Sequence, residues 1–177
     1  MRIFIICLII IIAGPAWVED HAVVFSAYDP AIKLVLYDPA SSTAKFEGQI
    51  FLDGIVYFDF DSDENKKSVD ILFARFVPSE KSKELLPSVI GGYYPGRVDQ
   101  ISLEPADLAL VMAYGSEKAE CLKHGGELTI NVPAQITLYK LTASIECDAR
   151  SYWSTSFSIK PLSSLNNIVV VRRGGGC

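Results

Sequence analysis

Histidine is scarce in this chain: His21 and His124 are the two in 177 residues. There is no H-E-x-x-H pair, no Walker glycine loop, no dinucleotide fingerprint and no G-x-S-x-G elbow, so no motif nominates a nucleophile, a nucleotide site or a catalytic metal. Positive charge is also in deficit. Sixteen Lys and Arg against 21 Asp and Glu leave a net charge of −5. Such a balance repels phosphate backbones and anionic lipid, making nucleic acid and membrane surfaces poor partners. Beyond the N-terminus there is no long apolar run, so no later segment is suited to span a bilayer.

What is present is globular composition. Half the residues are hydrophobic and 21% are charged, and the length suits one domain with a proper core. The N-terminus opens with Arg2, an apolar run IFIICLIIIIA and then Gly14-Pro15-Ala16. That order reads as a secretory signal peptide over residues 1–16, followed by a single domain over 17–172 and a short tail, 173–177. Removing residues 1–16 takes away Arg2 and no acid, which moves the net charge from −5 to −6. The expected location is periplasmic or extracellular, with no membrane contact after cleavage.

Three cysteines follow the signal: Cys121, Cys147 and Cys177. In an oxidising compartment the first two form the natural disulfide, leaving the third in an RRGGGC tail, free or available to join chains. Closing a loop of 27 residues stabilises a fold by roughly 3.5 kcal/mol in the chain-entropy model. A metal site on Cys121, His124 and Cys147 lacks a fourth ligand, and His124-Gly125-Gly126 reads as a turn.

Along the chain, strand patterns dominate. Two Tyr-Asp-Pro-Ala units, at 28–31 and 37–40, read as bends, with a β-run between them that places Ile32, Leu34 and Leu36 on one face. Residues 45–61 are apolar at even positions, from Phe46 to Phe60. Asp53-Gly54 invites a hairpin there. A two-residue hairpin would mix the faces, so the pattern favours one long strand bent at Gly48 or Gly54. A second strand, SVDILFARFV, a short helix capped by Ser79 and a Gly/Pro loop with Tyr93 and Tyr94 follow. RVDQISL reads as a strand, while EPADLALVMAYG and SEKAECLKHG read as helices, the former able to end in a strand. Residues 127–132 and 135–147 read as strand, proline, strand, with Tyr139, Leu141, Ala143, Ile145 and Cys147 on the inner face. SYWSTSFSI and NIVVVR supply two more strands. The predicted class is mainly β, a β-rich α+β chain: an antiparallel sandwich or open barrel with one or two short helices.

Two groups of residues suggest binding. Asp59, Asp61 and Asp63 match the alternating ligands of a calcium loop, but Glu64 replaces its turn glycine, and strands rather than helices flank it. The pattern makes them a weak calcium candidate; no cofactor is expected. Tyr93, Tyr94, Tyr152 and Trp153 are aromatics of the kind that anchor protein interfaces. The expected function is a small exported, non-enzymatic domain that binds another protein, as inhibitors and immunity proteins do. The alternatives are a small secreted hydrolase and a calcium- or ligand-binding accessory domain of the envelope.

Overall fold

The computed structural model describes residues 24–26, 28–61, 71–90, 95–123, 128–146, 149–162 and 171–172. The expected signal segment, Tyr93, Tyr94, His21, His124, Asp63, Cys147, Cys177 and residues 173–177 lie outside them. In chain order the elements are β1 (Val24–Phe25), β2 (Ile32–Asp38), β3 (Thr43–Asp61), β4 (Ile71–Pro78), α1 (Glu80–Lys83), β5 (Val89–Ile90) and β6 (Ile101–Leu103). Then come α2 (Ala106–Tyr114), α3 (Ser116–Lys123), β7 (Leu128–Glu146), β8 (Ala149–Pro161) and β9 (Val171–Arg172).

The mainly β reading holds, and the sheet closes on itself. β3 pairs along one edge with β7 and along its second half with β4; β6 links β4 to β8, and β8 returns to β7. The result is a closed five-stranded barrel with β2 as an extra strand on the first half of β3. It is neither a sandwich nor open. Counted in chain order, the barrel strands close as 1-2-3-5-4, with two helices between the third and fourth. This is the Greek-key connectivity of OB-type barrels, a connectivity that hosts unrelated functions. Three helices are present among the described residues, each short.

β3 is a single strand of 19 residues. Its even positions Ala44, Phe46, Ile50, Leu52, Val56 and Phe58 are buried along its length, as the alternation predicts. Asp53-Gly54 makes no hairpin because the Asp53 backbone is engaged elsewhere. Its N–H donates to Ser82 Oγ at 2.9 Å, and its carbonyl accepts from Ser79 N–H at 2.8 Å. The bend falls at Gly48, where the register against β7 shifts between Glu47 and Ile50. Gly48 has φ +148°, and a Cβ there would collide with the Ala31 carbonyl and Ile32 Cα. Only glycine suits that position.

β7 runs unbroken through Pro133, where the sequence suggests two strands. Antiparallel pairing aims the N–H and C=O of one residue to the same side. The Pro133 carbonyl accepts from Leu162 N–H, just where β8 ends, so the missing N–H costs the ladder nothing. Ile130, Val132, Ala134, Ile136 and Leu138 point inward; then Leu141 and Ala143 do. Register shifts against β8 on either side of Lys140 produce this change of parity. Tyr139 therefore faces out, 41% exposed, contrary to its expected inner position.

β6 is only three residues long, and RVDQISL forms strand only at its end. α2 packs against β4 and β8 beside it, burying Ala109, Leu110, Ala113 and Tyr114, with Tyr114 set edge-on to Phe58. The N-terminal segment covers the barrel elsewhere: Phe25 and Tyr28 both stand edge-on to Phe46, at ring-centroid distances of 5.2 Å. Both Tyr-Asp-Pro-Ala units are bends. The carboxylates of Asp29 and Asp38 accept from the N–H groups of Ala31 and Ala40, the Asx geometry. The Asp38 carboxyl is held below its ordinary pKa by the Ser41 hydroxyl and the Ala40 N–H.

Candidate functional site: the outer face of β2, β3, β7 and β8

The first half of β3 is sandwiched between β2 and β7, and β7 is followed by β8. These strands form a four-stranded patch of sheet whose registers align side chains in rows. One row runs Leu36, Lys45, Thr142, Trp153. The next runs Lys33, Glu47, Lys140, Ser156. Both lie on the outer side, opposite the buried Phe46, Leu141 and Tyr152.

Local sequence explains this arrangement. In SYWSTSFSI the alternation sends Tyr152 and Ser154 inward, at 5% and 1% exposure, and leaves Trp153 partly buried outside. Ser154 is the clamp. Its hydroxyl lies 2.6 Å from the Lys140 carbonyl and 3.1 Å from the Ser156 carbonyl, and it accepts from Ser156 N–H at 3.4 Å. It satisfies backbone groups that the bulges take out of the ladder. Beyond it Lys45, Glu47, Lys140, Thr142, Trp153 and Thr155 enclose a groove of about 380 Å³. Lys140 Nζ and Glu47 Oε1 are 3.3 Å apart across it, both half-exposed; such a pair positions more than it stabilises. With Lys33, and with Asp38 at the end of β2, this surface of an acidic protein carries three lysines to two acids.

β2 supplies the other end of the patch. Leu34, Val35, Leu36 and Tyr37 are 37–54% exposed, and among the described residues β2 pairs only with β3. A register shift between Leu34 and Leu36 parts those two leucines. Leu34 and Tyr37 align with the inward Phe46 and Ala44, and Leu36 with the outward Lys45. The single apolar face predicted for Ile32, Leu34 and Leu36 is thereby split.

Of the residues singled out from sequence, Trp153 lies on this face. Tyr152 lies inside the barrel; its hydroxyl has no hydrogen-bond partner among the described residues, and burial pushes its pKa up to about 12. Tyr93 and Tyr94 fall outside the described residues. Of the acidic trio, Asp59 holds the Arg75 guanidinium, a competitor for any cation; Asp61 ends β3. Cys121 falls on α3. Another hollow, about 450 Å³, sits where α2 meets α3, lined by the consecutive residues Tyr114 to Lys118, with Lys118 over the Tyr114 ring at 5.9 Å. It draws on one short stretch of chain, whereas the Trp153 groove gathers three strands. Comparison with protein-family models, curated proteins and solved structures finds no match.

Proposed function

We propose that this chain is an exported, non-enzymatic binding domain whose partner is another protein, held on the outer face of β2, β3, β7 and β8. The supporting observation is the row that sets Trp153 in a groove at one end and the exposed Leu36 strand at the other, with Lys45 between. Tryptophan in a partly desolvated hollow ringed by polar groups is the usual chemistry of an interface hot spot. Exposed apolar residues in a contiguous group mark interaction surfaces. The three lysines around Glu47 favour a partner that presents acidic side chains beside an apolar anchor. The Cys121–Cys147 bridge belongs to the same proposal, as a brace of the exported fold rather than part of the site.

Affinity capture from a native extract, followed by titration of the captured protein, tests the reading. A hot-spot Trp153→Ala change weakens the complex about 30-fold or more, the equivalent of about 2 kcal/mol. A partner that binds this folded variant as tightly as wild type overturns it.

A further inference from the structure

The edge of β2 opposite β3, which no other strand among the described residues occupies, is an unusual surface. Edge strands of soluble proteins are ordinarily short, charged or covered, because an unpaired row of N–H and C=O groups is a template for another strand. Here Leu34, Val35, Leu36 and Tyr37 are exposed in succession, bracketed by one cation, Lys33, and one anion, Asp38. In a regular strand two residues five apart lie on opposite faces. The register shift between Leu34 and Leu36 changes that: Lys33 aligns with Glu47 and Asp38 with Thr43, both on the outer side, while Leu34 and Tyr37 share the inner side.

We propose that β2 pairs antiparallel with β2 of a second copy of this chain across a two-fold axis beside Val35 and Leu36. In that register Lys33 faces the second copy's Asp38, Leu34 faces its Tyr37, and Val35 and Leu36 close around the axis. Each match falls on one face only because the bulge sits at the centre of the strand. Opposite-charge and apolar cross-strand pairs are the units that stabilise sheet pairing, and a two-fold contact makes each of them twice. The axis runs normal to the sheet, so the combined eight strands present both Trp153 grooves on one side. A bivalent partner would then gain avidity without any new contact. The pairing stands on β2 alone and does not require the partner reading above.

One strand from each copy makes a small contact, below the standard interface size, so the association is weak and is sought at roughly 1–200 µM. Sedimentation velocity on the whole protein, and on Cys177→Ser to set aside a tail disulfide, is the test. The expected result is a reversible dimer in both. Lys33→Glu raises its dissociation constant at least about tenfold, as does Leu36→Gln, which leaves the Asp38 turn intact. Lys33→Glu combined with Asp38→Lys restores it. A monomer throughout the range, a dimer lost with Cys177→Ser, or a dimer unaffected by both folded single variants overturns the proposal. Each of those results leaves the Trp153 titration unaffected, so the two ideas fail separately.

Discussion

Ser154→Ala removes a single oxygen from the point where two strands change parity. That oxygen is 1% exposed with its residue and reaches the Lys140 carbonyl at 2.6 Å and the Ser156 backbone on the other side. Alanine fills nearly the same space, so the cost comes from backbone groups left unpaired in a dry place. Such groups cost about 1–3 kcal/mol. Taking about 2 kcal/mol, and about 2–4 °C per kcal/mol for a chain of this size, the melting midpoint falls by about 4–8 °C. Urea unfolding followed by tryptophan emission and calorimetry measures both figures. Because Lys140 and Trp153 flank the clamp, the native emission of the variant also moves to the red as the groove loosens. Ser151→Ala, three residues away and exposed, is the control and stays within about 0.5 kcal/mol of wild type. A Ser154→Ala protein as stable as that control would refute the idea that the hydroxyl holds the bulges.

Tyr152→Phe deletes a buried hydroxyl that has no hydrogen-bond partner among the described residues, so it leaves stability unchanged or raises it by up to about 1 kcal/mol. The same residue sets a pH limit: below pH 10 its phenol is neutral in both states, whereas between 10 and about 12 only the unfolded chain ionises. Stability therefore falls with rising pH across that window, by about 2–3 kcal/mol for this group; alkaline denaturation curves should lose that share of the slope in Tyr152→Phe, and an unchanged slope would contradict the assignment. Tyr114, also raised by burial, adds to the same loss. Gly48→Val places a side chain into the Ala31 carbonyl at φ +148°. It is expected to cost at least about 2 kcal/mol and to detach β2 from β3, visible as faster amide exchange at Leu34 to Asp38; normal exchange there would count against the role given to Gly48.

Much of the barrel could be read from the chain because its strands obey local rules. The even positions of β3, the Ser79 cap of α1 and the two Asp-Pro bends each follow from neighbours in sequence, and each is found. What could not be read depends on distant partners. Pro133 looks like a break until β8 is seen to end beside it. Tyr139 and the split of Leu34 from Leu36 follow from bulges, and a bulge is set by pairing rather than by the residues that bulge. The site suffered most. Trp153 was visible as an aromatic in a strand, and its inward neighbour Tyr152 looked the same; only strand parity tells them apart. Lys33, Lys45 and Lys140 lie far apart in the chain, and three-strand register alone brings them together around Glu47.

The partner protein proposed for this chain would lie on the outer face running from Leu36 to Trp153. Site-specific photo-crosslinking tests that placement most directly, with a photoreactive residue placed at Thr155 in the groove and, for comparison, at the exposed Phe73 on β4. The expected result is one discrete, Trp153-dependent adduct in native extract from position 155 and none from position 73. An adduct from position 73 with none from 155, or equal labelling that persists in Trp153→Ala, would contradict it.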